Sequence, residues 1–173
     1  MLYLAYGSNL HPVRLAERVP SARLVRTVVL DGYRLAFHKR GHDDSAKCDL
    51  VRTGDQADRA YGAVYRIDPV EKPLLDVCEG LGNGYRDPAM DLACEGGPIR
   101  CFTYLAQAGH IDRRLRPFHW YKHLVLAGAR YHGLPARYVE RIRAVPSRED
   151  PDASRRGLHD GLLGRLGLCV LSC

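Results

Sequence analysis

Residues 2–6 (LYLAY) form an unbroken apolar run that stops at Gly7-Ser8-Asn9, the profile of a buried strand ending in a turn. Residues 9–18 predict a short helix ahead of Pro20. Residues 23–30 and 33–38 are strand-like, and Asp31-Gly32 between them predicts a hairpin. The stretch 39–47 (KRGHDDSAK) is polar and reads as a loop, and strand character returns over 49–53 and 59–67. The period then changes. Asp68-Pro69-Val70-Glu71 supplies an N-cap acid, a proline for the first helical position and a glutamate at the capping-box position. Val70, Leu74, Leu75, Val77, Cys78 and Leu81 follow at helical spacing, and Gly80, Gly82 and Gly84 end the helix.

Residues 85–93 and 99–106 predict a second strand pair joined through Glu95-Gly96-Gly97, with an edge or bulge at Pro88. Residues 117–132 predict a helix closed by Gly133, and 135–144 another. Beyond Pro146 the chain turns polar and glycine-rich, with a short apolar end at 166–171. The expectation is one α+β domain over 1–146 and a C-terminal tail of low order over 147–173. The domain is expected to be a small closed, mainly antiparallel β-barrel with surrounding α-helices.

Composition narrows the class. Of 173 residues, 46% are hydrophobic and 27% charged, as in soluble globular domains. No apolar run reaches membrane-helix length, and the N-terminus lacks a basic region followed by an apolar signal core, so a cytoplasmic protein is expected. The six cysteines contain no CxxC pair, so free thiols are the expectation. The net charge of +6 comes largely from arginines scattered over the late helices. Such a distribution suits attraction of small anions better than nucleic-acid binding.

Three features carry candidate chemistry. If a strand stops at Tyr6 and a helix starts near Asn9, the N–H groups of Gly7, Ser8, Asn9 and Leu10 lack helical partners and can bind a carboxylate or oxyanion; an ordinary strand-to-helix turn is the alternative. Glu79 ends a helix, where the negative end of the dipole disfavours its charge, a property that suits a general base; an exposed glutamate before a glycine cap is the alternative. Ten tyrosines stand against three phenylalanines and one tryptophan, and Tyr85, Tyr104 and Tyr121 can either pack the core or line a pocket with hydroxyl donors. His119 and His123 have metal-ligand spacing on one helix, but no third ligand is evident, and no metal is expected. His42-Asp43-Asp44 reads as a solvated loop.

Taken in order, Tyr6-Gly7-Ser8-Asn9, Tyr61-Gly62-Ala63-Val64-Tyr65, Glu79-Gly80, Gly84-Tyr85, Tyr104-Leu105 and the stretch WYKHLVLAGARYHGLPARYVERIRAV resemble the γ-glutamylcyclotransferase family over about residues 2–146. The last stretch resembles the helix pair of its γ-glutamyl amino acid branch. The resemblance implies a barrel with helices and a cofactor-free cyclisation of a γ-glutamyl amide to 5-oxoproline with release of an amine or amino acid. It puts Glu79 at the catalytic position and Tyr6, Gly7, Ser8, Asn9, Tyr85, Tyr104 and Tyr121 around the substrate. The implied partner is a small γ-glutamyl substrate, with no nucleic acid and no membrane, and a homodimer is left open. Cys78 stands where relatives often carry glutamine, and the segments 39–47 and beyond 146 match nothing in the family. A non-catalytic module holding an anionic ligand on the same barrel is the rival reading.

Overall fold

The computed structural model describes residues 1–167. Its strands are β1 (Leu2–Ala5), β2 (Arg23–Asp31), β3 (Tyr33–Arg40), β4 (Ala46–Arg52), β5 (Arg59–Arg66), β6 (Tyr85–Arg86), β7 (Ala89–Leu92), β8 (Ile99–Phe102) and β9 (Leu105–Ala106). Its α-helices are α1 (Pro12–Ala16), α2 (Lys72–Glu79), α3 (His119–Tyr131), α4 (Ala136–Arg143) and α5 (Ala153–Arg165). The apolar N-terminal run lies in the middle of a five-stranded sheet of order β2-β5-β1-β8-β7, where Leu4 and Ala5 are fully buried. β1 pairs antiparallel with β5 and parallel with β8. Two ribbons, β3-β4 and β6-β9, complete the strands.

The expected closed, mainly antiparallel barrel is not what forms: the sheet is curled but open, and it is mixed. Two backbone features interrupt the ladder. The chain turns at Gly32, which adopts a left-handed φ of 76°, and it breaks at Pro88, which has no N–H to donate. The hairpin expected at Asp31-Gly32 is also absent. β2 pairs with β5 and β3 with β4, so Gly32 is a corner between two ribbons, bonded to Asp58 and Thr53. The polar stretch 39–47 is only partly loop, because β3 runs to Arg40 and β4 starts at Ala46.

α2 forms where its spacing predicts, but its apolar residues do not all face inward. Leu75 is buried, whereas Val70, Leu74 and Val77 are exposed. Asp68 caps the preceding 3₁₀ turn by accepting from the Val70 N–H. Glu71 does not close a capping box; it accepts from the backbone and hydroxyl of Ser21 instead. α3 packs beside the turn after β1, and a side chain at Gly128 would meet Leu10 and the backbone of His11 at 2.7–2.8 Å.

The low-order tail is likewise corrected. Residues 153–165 form α5, with Asp152 as its N-cap and Leu162 and Leu163 buried. Asp150, its side chain fully buried, accepts from Trp120 Nε1 at 2.8 Å and from two nitrogens of Arg155 at 2.6 Å each, tying the segment to α3. The helix contains Gly157, Gly161 and Gly164, so its intrinsic propensity is poor and tertiary docking stabilises it. The rest of the apolar end, 168–171, lies outside the described residues, as do Cys169 and Cys173. The four cysteines among the described residues are free thiols. No helix there is long and apolar enough to cross a membrane.

Candidate active site

The turn after β1 is a single 3₁₀ turn, Ser8–Leu10, closed by the Leu10 N–H on the Gly7 carbonyl at 3.0 Å. Leu10 is therefore satisfied, contrary to the sequence expectation. The N–H groups of Gly7, Ser8 and Asn9 donate to no acceptor among the described residues. The site lies close to Gly7: a side chain there would come 3.0 Å from Cys48 Cβ and 3.6 Å from the Tyr121 hydroxyl.

Glu79 is the last residue of α2, and Gly80 ends the helix in the left-handed conformation at φ 70° and ψ 48°. Asn9 is 3% exposed and joins the two elements. Its Nδ2 donates to Glu79 Oε1 at 2.9 Å and to the Tyr3 hydroxyl at 3.2 Å. Arg18 Nη1 donates to the same Oε1 at 2.6 Å and to Asn9 Oδ1 at 2.9 Å. Both donors converge on Oε1, and among the described residues Glu79 Oε2 has no hydrogen-bond partner. Burial works against the Arg18 charge, but the Glu79 carboxylate offsets it and holds the guanidinium above its ordinary pKa.

Tyrosines form the remaining wall. The Tyr6 hydroxyl donates to the Tyr104 carbonyl, and the Tyr85 hydroxyl to the Cys48 carbonyl. The Cys48 N–H donates to the Tyr121 oxygen at 3.0 Å. Tyr104 donates to Asp76 Oδ1 at 2.6 Å, one helical turn before Glu79. Burial raises the pKa of Tyr3, Tyr6, Tyr85, Tyr104 and Tyr121, so these phenols stay neutral and keep their protons for hydrogen bonding.

Tyr6, Gly7, Ser8, Asn9, Glu79, Tyr85, Tyr104 and Tyr121, the residues singled out in the sequence, line one narrow cavity of about 20 Å³ together with Tyr3 and Cys48. The cavity adjoins a chamber of about 250 Å³ that shares Ser8, Glu79, Tyr85 and Tyr121 with it. His119 and His123 are not in this lining; His119 bonds Ser147 instead. No group of three or more potential metal ligands lies together among the described residues.

A human protein named gamma-glutamylcyclotransferase is 31% identical over 149 residues, covering 83% of this chain and 78% of its own length. The chain belongs to the γ-glutamylcyclotransferase family. It is an enzyme of the γ-glutamylcyclotransferase type. The mouse protein of the same name is also 31% identical, over 157 residues. A solved structure named gamma-glutamyl cyclotransferase aligns with a TM-score of 0.78 over 93% of this chain and 98% of the other, at 24% identity, a likeness of fold. The model of the AIG2-like family matches residues 59–142, a span that includes Glu79 and the three later tyrosines.

Tyr3, Arg18 and Cys48 also belong to the site but were not among the residues singled out in the sequence. Tyr3 had a signal, as an aromatic in an otherwise aliphatic strand. Arg18 had none, because its partner Glu79 is 61 residues away in the chain.

Proposed function

We propose that the enzyme cyclises a γ-glutamyl amide, with a γ-glutamyl amino acid as the substrate class, to 5-oxoproline and releases the free amine. Glu79 acts as base and then as acid. The observation that carries this reading is the asymmetry of the Glu79 carboxylate: Arg18 and Asn9 hold Oε1, while Oε2 is left to exchange a proton. The substrate sits where the cavity and chamber meet, at Ser8, Glu79, Tyr85 and Tyr121.

The α-ammonium of the glutamyl group loses a proton to Glu79 and becomes a nucleophile. Its nitrogen attacks the γ-carbonyl carbon, and the new C–N bond closes a five-membered ring around a tetrahedral oxyanion. That intermediate collapses: Glu79 returns the proton to the departing nitrogen as its C–N bond breaks, and the extra proton that the attack left on the ring nitrogen passes through Glu79 to the released amine, which leaves as an ammonium. One carboxylate serves both transfers because both nitrogens are bound to the same carbon at that moment. Since the nucleophile belongs to the substrate, orientation supplies much of the acceleration. The N–H groups of Gly7, Ser8 and Asn9 serve an anionic oxygen of the substrate, and the neutral tyrosines supply further donors.

The test is incubation with a panel of γ-glutamyl amino acids and γ-glutamyl amines, following 5-oxoproline. α-Glutamyl dipeptides serve as controls, because their amine cannot close a five-membered ring on the amide carbonyl. The reading fails if the γ-linked panel releases no 5-oxoproline.

A further inference from the structure

The chamber beside the tyrosine cavity has a charge that the cyclisation does not use. Five cationic side chains line it, Arg14, Arg18, Lys39, Lys47 and Arg155, against the carboxylates Asp43 and Glu79. Most of these cations are engaged. Arg14 pairs with Glu17, Arg18 with Glu79, Lys47 with Asp43, and Arg155 with Asp150.

Lys39 differs. The chain has four lysines. Lys47 and Lys72 are ion-paired, and Lys122 donates to the carbonyls of Arg143 and Val145. Lys39 is 3% exposed as a residue, but its ammonium is not sealed from the chamber, and it has no hydrogen-bond or ion-pair partner among the described residues. It lies 4.4 Å from the centroid of the Tyr85 ring. The Lys39 ammonium end packs against Gly84: a Cβ there would come 2.6 Å from Lys39 Cε and 2.8 Å from Nζ and would push the lysine tip aside. Gly84 has a φ of 123°, a conformation that disfavours any side chain. Burial lowers the pKa of Lys39, the Glu79 charge opposes that shift, and Lys47 adds to it. A cation that faces a chamber without a protein anion is free to pair with an anionic ligand group, and a carboxylate there would form a charge-assisted hydrogen bond.

We infer that Lys39 is the receptor for an anionic group on the leaving amine, so that the enzyme selects γ-glutamyl conjugates whose leaving group carries a carboxylate next to its nitrogen. The inference rests on the cyclotransferase reading and deepens it. Lys39 lines the chamber and not the tyrosine cavity, and it shares that chamber with Ser8, Glu79, Tyr85 and Tyr121, the residues common to both. The stacked Trp120 and His159 rings, with centroids 3.7 Å apart, form part of the same chamber's wall.

The experiment compares γ-glutamyl-alanine with γ-glutamyl-ethylamide, which is the same amide without the carboxylate. Wild type, Lys39→Met and Lys39→Arg are assayed on both by 5-oxoproline release. The wild type should favour the alanine conjugate in kcat/KM by about 10- to 100-fold, the range of one charge-assisted hydrogen bond. Lys39→Met should collapse that ratio towards unity, chiefly through KM, and Lys39→Arg should retain part of it. If the methionine variant fails to fold, inhibition of the wild type by free alanine against ethylamine reads the same preference. An unchanged ratio in Lys39→Met, or equal inhibition by the two free amines, would overturn the inference while leaving the cyclotransferase reading intact. Absence of 5-oxoproline from both substrates with the wild type would overturn both.

Discussion

Replacing Glu79 by glutamine isolates the proton from the geometry. The amide oxygen can still accept from Arg18 Nη1 and Asn9 Nδ2, which now donate to Oε1 at 2.6 and 2.9 Å, so the turn, helix end and cavity should keep their shape. The amide cannot take a proton from the substrate ammonium. If Glu79 is base and then acid, kcat for 5-oxoproline formation should fall by about 10²–10⁴-fold, equivalent to about 2.7–5.4 kcal/mol in the barrier. Stability should suffer less. The side chains of Arg18 and Glu79 are 17% and 16% exposed, so the guanidinium loses a largely desolvated counter-charge but keeps a hydrogen-bond acceptor. About 1–2 kcal/mol is expected, below the roughly 3–5 kcal/mol of a buried pair broken outright. In a chain of this size that corresponds to a fall of about 2–8 °C in Tm. Binding of 5-oxoproline should survive, because the Gly7–Ser8 backbone is untouched and a repulsion between carboxylates is removed. Rates are read by 5-oxoproline release, stability by thermal unfolding and binding by calorimetry. A Glu79→Gln enzyme with near-normal kcat would refute the assignment, and a large loss of stability with no folded fraction would refute the geometric part.

Other expectations follow from packing and charge. Leu163, fully buried at the end of α5, should cost about 2–5 kcal/mol on truncation to alanine, and a Tm unchanged by Leu163→Ala would show that α5 is not docked. Gly128→Ala should cost about 1–3 kcal/mol, because the new methyl group meets Leu10 and the His11 backbone; a neutral Tm would show that α3 can move away from the turn. Burial, with Arg14, Lys47 and Arg18 nearby, lowers the pKa of His159 to about 4, so the native state binds fewer protons there than the unfolded chain, whose histidine titrates near 6.5. Its contribution is complete above about pH 6.5 and is lost as pH falls towards 4. Trp120, the single tryptophan, stacks on His159 and reports the change by fluorescence, which His159→Phe should abolish between those limits.

Much of the local structure was legible in the residues themselves. Asp68-Pro69 starts the 3₁₀ turn that leads into α2, Gly80 stops that helix in the left-handed conformation, and Pro88 divides the strand that follows Tyr85. These signals act through dihedral preferences and missing donors within a few residues, so no distant partner is needed to read them. For the same reason Glu79 could be placed at a helix end, and the ordered YGSN, Glu-Gly and tyrosine motifs could be recognised as one family's.

What only the tertiary structure decided concerns partners. Asp31-Gly32 is a strong hairpin signal locally, yet the ladder it would start loses to pairing of β2 with β5, because a strand's register depends on which apolar faces meet across the sheet. α2 has a helical apolar pattern, but the pattern does not say that Leu75 alone of its leucines and valines is covered. α5 has weak propensity and exists by docking Leu162 and Leu163 and by the buried bond of Asp150 to Trp120. The charges follow the same rule. Arg18 and Lys39 are alike in sequence as basic residues beside polar stretches, but one meets Glu79 at 2.6 Å and the other meets no anion among the described residues. Whether a cation is paired is a property of the space around it, and that space is assembled from segments far apart in the chain.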